Sequence, residues 1–153
     1  MSDTEPEPEM PSLVFDHIGI VVRDVDAAVA MAAAMFRACE ASRRFDDDIL
    51  GVSVRFVREP SGIVYEMIAP FGDNSPVAQT LESRSNLLNQ VAYRTSALPR
   101  SVTALRKQGC MSLGPAKPAR AFAGAKVQFL LSELGFIVEL IEAPSFQHEF
   151  FAL

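Results

Sequence analysis

At 153 residues, with 49% hydrophobic and 22% charged side chains, the chain suffices for one globular core and does not call for a second. A net charge of −5 excludes nucleic acid as the main partner, because phosphate binding needs a clustered excess of Lys and Arg. No apolar run approaches the ~18 residues of a membrane helix, and residues 1–12 are acidic and proline-bearing where a signal peptide is basic and then apolar, so a cytoplasmic protein with a disordered acidic tail and no membrane association is expected.

Residues 15–22 are β-branched and apolar, which predicts a buried strand. Asp24 or Asp26 can cap a helix over 25–38, where six alanines between Ala27 and Ala34 give high helix propensity. A variable stretch, 43–50, precedes a strand at 52–58, and Pro60-Ser61-Gly62 turns the chain into a second strand at 63–69. In the following linker, 71–86, Ser75-Pro76 predicts a short helix over 76–83. Strand, helix, strand, turn and strand then return at 88–95, 98–108, 126–131, 132–135 and 136–142.

The return is a duplication. Val54, Phe56, Gly62, Glu66 and Ile68 recur as Val127, Phe129, Gly135, Glu139 and Ile141, each displaced by 73 positions (127 − 54 = 139 − 66 = 73). The segment Phe15 to Val22 falls on Leu88 to Thr95 by the same shift. Two copies of one supersecondary unit are expected, and not a solenoid, which needs at least about three copies of a shorter period. The predicted architecture is α+β: one domain over 13–143, made of tandem βαβββ modules (13–70 and 87–143) forming a cupped mixed sheet around a central site. A C-terminal tail, 144–153, follows.

The shift of 73 maps His17 and Glu66 onto Gln90 and Glu139, so four candidate ligands occupy two equivalent pairs. Each glutamate sits among residues that want burial, and an unpaired buried charge is costly enough to seek a cation. Read alone, either glutamate can also be an outward-facing residue on a half-exposed strand. One imidazole and three oxygens, with no thiolate, form a hard donor set. It favours Mn, Co, Ni, Mg or Fe over a closed structural zinc site, with Zn the remaining candidate.

Phe15-Asp16-His17-Ile18-Gly19-Ile20-Val21-Val22, Tyr65-Glu66-Met67-Ile68-Ala69-Pro70 leading to Asn74-Ser75-Pro76, and Val127-Gln128-Phe129-Leu130 before Val138-Glu139-Leu140-Ile141-Glu142 resemble the vicinal oxygen chelate superfamily. Within it the chain is most similar to methylmalonyl-CoA epimerase and glyoxalase-like proteins. The resemblance implies paired βαβββ modules, a divalent metal at the centre, and proton transfer beside a metal-held carbonyl. Epimerase-type members carry histidine at the third ligand position, in a stretch like His-His-Ile-Ala. Here it is Asn89-Gln90-Val91-Ala92, whose glutamine offers a carbonyl oxygen. Glyoxalases include a Gln/Glu/His/Glu set, which the internal twofold turns into the one found here.

The reaction implied is an epimerase or isomerase step on an acyl-CoA or acyl-carrier thioester, with Glu139 as acid/base as well as ligand. The second acid/base is implied in the stretch after the first helix, where Asp46, Asp47 and Asp48 stand and Asp46 is the expected choice, although such a run also reads as a solvated loop. The alternatives are a glyoxalase-like lyase acting on a thiol adduct, or a metal-free small-molecule binding or resistance protein. Related proteins imply a homodimer.

Arg43, Arg44, Arg55 and Arg58, with Lys117, Arg120 and Lys126, can greet an anionic ligand or simply keep the surface soluble. Cys39 and Cys110 lack CxxC spacing and are expected as small buried hydrophobes. His148 lies outside the repeat and is expected to be a solvated or interface residue, not a fifth ligand. Phe146, Phe150 and Phe151 need cover and are expected to pack on the domain or a partner subunit.

Overall fold

Alternation along the strands decides which side chains meet. The computed structural model describes residues 10–38 and 40–153, so most of the acidic amino-terminal segment and Cys39 lie outside the described residues. In chain order the first module comprises β1 (Val14–Val21), α1 (Val25–Phe36), β2 (Glu40–Ala41), β3 (Phe45–Asp47), β4 (Val52–Arg58) and β5 (Val64–Pro70). A short helix, α2 (Ala78–Ser83), leads to the second module. That module comprises β6 (Leu88–Arg94), α3 (Leu98–Lys107), β7 (Met111–Ser112), β8 (Lys117–Pro118), a 3-10 turn (Arg120–Phe122), β9 (Lys126–Leu131) and β10 (Ile137–Ile141), and β11 (Phe151–Ala152) ends the chain. The fold is α+β, a mixed sheet in two βαβββ halves, in each of which one strand position is split into two short pieces, β2 and β3 on β4 and β7 and β8 on β9.

Along the sheet the order is β11-β2-β4-β5-β1-β6-β10-β9-β7, with β3 also on β4 and β8 also on β9. In each half the first strand lies parallel to the last, β1 on β5 and β6 on β10, and the halves meet at the antiparallel pair β1–β6. A pseudo-twofold therefore runs between β1 and β6, the strands that carry His17 and Gln90.

On β5, Tyr65, Met67 and Ala69 face α1, and on β10, Val138 and Leu140 face α3, each burying the helix's apolar stripe. For α1 that stripe is Val25, Val29 and Ala32, at helical spacing. The intervening residues Val64, Glu66 and Ile68, like Glu139 and Ile141, turn to the other face, which closes into a cup lined by Val54, Phe56 and Val127. Asp24 caps α1 by accepting from the Asp26 and Ala27 amides at 2.9 and 3.0 Å. Its counterpart in the second half is Ala97, which has no such oxygen, and Glu142 supplies one instead, 3.0 Å from the Leu98 amide.

Several details differ from the expectations. The stretch 43–50 is not merely a variable loop: β3 pairs with β4 across Phe45 and Val54, Asp46 and Ser53, and Asp47 and Val52. α1 ends at Phe36 because Arg37 enters the left-handed region at φ 54. α2 begins two residues after Pro76, with Val77 in the cap position. The tail packs on its own chain. Phe146 and Phe150 cover the cup's core, β11 pairs with β2 at the sheet edge, and Phe151 stays exposed. Cys110 is half-buried against the α3 cluster.

Candidate metal centre

Two matched irregularities aim the central side chains. In the β1–β6 ladder Phe15 pairs with Tyr93 but His17 with Ala92, leaving Asp16 as an extra residue. Further on Gly19 pairs with Gln90 but Ile20 with Leu88, leaving Asn89 extra. Asp16 and Asn89 are equivalent under the shift of 73 (89 − 16 = 73), so each half carries a bulge immediately before its candidate ligand. Gly19 lies beside Gln90, and a Cβ there would stand 2.4 Å from Gln90 Cγ. A side chain at 19 would thus fill the space that Gln90 occupies.

His17, Glu66, Gln90 and Glu139 converge on the floor of the cup, all buried. His17 Nε2 is 3.3 Å from Glu139 Oε1 and 3.6 Å from Glu66 Oε2, and Gln90 Nε2 donates to Glu66 Oε1 and Glu139 Oε1, both at 3.3 Å. Donor atoms of His17, Glu66 and Glu139 all lie within 4.8 Å of one another. The His17 ring packs face to face with Phe122 at 6.0 Å and edge-on to Phe56 at 5.3 Å. Its Nδ1–H donates to Asp16 Oδ2 at 2.7 Å, which leaves Nε2 facing the two glutamates.

These residues fit a divalent cation. His17 Nε2 is buried without a hydrogen-bond partner, two carboxylates face it, and an outer carboxylate fixes the tautomer that a metal-ligating histidine uses. Half a turn of the Gln90 carboxamide presents Oε1 where its NH2 now points. Without an ion the cluster holds protons tightly. Burial raises the Glu66 carboxyl to about 8, with His17 opposing the shift. Burial would lower the His17 imidazole, yet the Glu66 charge, the hydrogen bond to Asp16 and the nearby Glu139 carboxylate together raise it to about 10.

Asp46 does not reach this floor. It lies opposite Ser53, on the face away from the cup, where its Oδ1 accepts from Ser53 Oγ at 2.5 Å and Arg44 Nε at 2.9 Å, and these two hydrogen bonds lower its pKa. The next residue, Asp47, does line the cavity. Its Oδ1 accepts from the Ile49 and Leu50 amides, at 3.0 and 2.9 Å, and its Oδ2 from the Arg120 amide at 2.9 Å. Asp47 and Arg120 are again 73 apart (120 − 47 = 73), so this bond ties the two halves at equivalent positions.

The arginine patch is likewise committed elsewhere: Arg44 and Arg55 pair with Asp26, Arg58 with Glu40, and Arg120 with Asp48. Arg43 lies over the Phe45 ring.

His148 overturns the expectation of a solvated residue. Its side chain is 9% exposed, it donates to Asp16 Oδ2 at 2.7 Å, and its ring packs against Phe56 and Phe122. Arg94 Nε completes the surround at 3.1 Å from Asp16 Oδ1. Sequence reasoning missed Asp16 and His148. The first stood in view within the Phe15-Asp16-His17 motif, whereas the second has no counterpart in the other half to flag it.

Above the floor opens a cavity of about 350 Å³, walled by both halves. A duplicated βαβββ cup with one imidazole and three oxygen-bearing side chains converging across its pseudo-twofold defines the class of vicinal oxygen chelate proteins. The chain belongs to the Glyoxalase/Bleomycin resistance protein/Dioxygenase superfamily, whose profile matches residues 16–129. Among solved structures it is similar to methylmalonyl-CoA epimerase from Mycobacterium tuberculosis, at 22% identity and TM-score 0.72 over 90% of this chain and 92% of that one. Streptomyces coelicolor methylmalonyl-CoA epimerase in complex with 2-nitronate-propionyl-CoA is similar at 24% identity and TM-score 0.69, over 85% and 94%. A hypothetical protein from Bacillus halodurans C-125 is similar at 22% and 0.72, over 90% and 99%. No curated protein sequence matches.

Proposed function

We propose that this protein is a divalent-metal-dependent isomerase that moves the proton on the carbon next to the carbonyl of an acyl thioester. His17, Glu66, Gln90 and Glu139 are the proposed ligands, and Glu139 the proposed acid/base. The observation that carries this reading is the unpartnered His17 Nε2 facing two buried carboxylates at the base of a cavity. A bound divalent ion supplies Lewis acidity, drawing electron density from a carbonyl oxygen and easing loss of the neighbouring proton.

In that scheme Glu139 takes the α-proton, the C–H electron pair spreads toward the carbonyl oxygen, and Glu139 then returns the proton. The Phe56 and Phe122 rings pack on the His17 imidazole and hold its orientation toward the glutamates. Inversion of the carbon needs a second proton carrier on the opposite face. Asp46 faces away, and Asp47 already accepts three backbone N–H groups. The remaining cavity carboxylate is Glu66, side by side with Glu139. This pairing favours a second reading, a glyoxalase-like lyase on a thiol adduct, in which a proton passes between adjacent carbons and no group on the far face is required.

The test is a titration of the purified, chelator-treated protein with Mn²⁺ or Co²⁺, followed by exchange of α-protons in D₂O on a short acyl thioester and on a hemithioacetal. Stoichiometric metal binding with thioester exchange lost in Glu139→Gln is expected. Exchange on the hemithioacetal alone selects the lyase, and absence of metal binding replaces both with the metal-free binding protein.

A further inference from the structure

The cavity is poor in positive charge. Its walls carry Leu50, Val52, Val54, Phe122, Val127 and Ile137, and among the described residues lining it the one cationic side chain is Lys117, exposed at β8. The arginines near the cup are already paired: Arg94 with Asp16, and Arg120 with Asp48.

On the floor, Glu66 and Glu139 together neutralise a divalent ion, with His17 and Gln90 contributing no charge. A further carboxylate beside the reacting carbon would enter this apolar space, where among the described lining residues only the solvent-exposed Lys117 side chain carries positive charge. An apolar acyl group instead trades water for the aliphatic and aromatic walls and leaves the charge of the floor balanced.

We propose that the thioester taken by this cavity bears an uncharged, apolar acyl group, and that a malonyl-type acyl group with a free carboxylate on the reacting carbon is rejected. The proposal rests on the reading of the site as a thioester-binding metal centre. It separates this chain by substrate from the methylmalonyl-CoA epimerases whose fold it shares. Glu66 is the specificity-determining residue, because its second negative charge leaves the loaded floor neutral instead of positive.

The experiment compares two pantetheine thioesters, isobutyryl and methylmalonyl, which differ by a methyl group in place of the carboxylate. Binding is measured by calorimetry to the full chain, both Mn²⁺-loaded and metal-free, and to Glu66→Gln. The expected result is at least about tenfold tighter binding of the isobutyryl thioester in both forms of the wild type. Glu66→Gln should narrow that ratio in the Mn²⁺-loaded form. Equal or tighter binding of the methylmalonyl thioester, binding of neither, or a ratio that Glu66→Gln leaves unchanged overturns the proposal. Failure of the metal reading shows separately, as absence of Mn²⁺ binding with the isobutyryl preference intact.

Discussion

His148 Nε2 lies 2.7 Å from Asp16 Oδ2, the same oxygen that accepts from His17 Nδ1. The C-terminal tail thereby holds the carboxylate that orients the central imidazole. Groups that hydrogen-bond a ligating histidine set its tautomer and ring angle, and their loss costs about 10–100-fold in metal affinity. His148→Phe keeps a ring among Phe56, Phe122 and Phe150 but removes the N–H. Mn²⁺ calorimetry should show affinity lower by about tenfold, and metal-free stability should fall by about 1.5–3 kcal/mol for the lost bond to the buried carboxylate. Unaltered affinity would mean that His148 only packs.

Removing residues 145–153 takes away more. Phe146 and Phe150 leave the cup's core, the β2 edge loses β11, and Asp16 loses His148. Loss of large aromatic cover from a core costs about 3 kcal/mol or more. Urea unfolding should show at least this decrease, and an unchanged midpoint would place the tail outside the folding unit.

The duplicated halves and the convergence of positions 17, 66, 90 and 139 could be read from residues because a shift of 73 preserves strand phase: alternation then forces equivalent positions onto equivalent faces. The same rule shows why Asp46 fails. Strand phase places it with Ser53, and that phase was invisible while 43–50 read as a loop without periodicity. Bulges at Asp16 and Asn89 leave no compositional mark, since any residue can be the extra one. His148 joins the site by a long return of the chain, a contact that no local pattern encodes.

Gly19→Ala tests the close approach of β1 to the Gln90 side chain. The new Cβ would sit 2.4 Å from Gln90 Cγ and 3.0 Å from Ile68 Cδ1, so Gln90 must shift from the floor. Overpacking of this kind costs about 1–3 kcal/mol. Melting should fall accordingly, and the visible spectrum of the Co²⁺-loaded protein should change because a ligand has moved. An identical spectrum would exclude Gln90 from the coordination sphere.

The pH dependence of the metal-free protein follows from the buried cluster. Glu66 has a folded pKa of about 8, raised from 4.5, and His17 one of about 10, raised from 6.5. Both groups hold protons more tightly when folded, so their stabilising contribution is complete below the unfolded values. It is lost as pH rises, through the Glu66 window of 4.5 to about 8 and the His17 window of 6.5 to about 10. Asp16 has the opposite sign. Burial would raise its pKa, but hydrogen bonds from His148 and His17 hold it far below 3.8, so its contribution is present above that value and fades in acid. A divalent ion bound as proposed would take the place of the protons on the floor, and its binding would strengthen as they leave. Melting curves from about pH 6 to about pH 8.5 should therefore fall for the metal-free protein and separate progressively from those taken with Mn²⁺. Parallel curves with and without Mn²⁺ would show that the ion does not replace protons at His17 and Glu66.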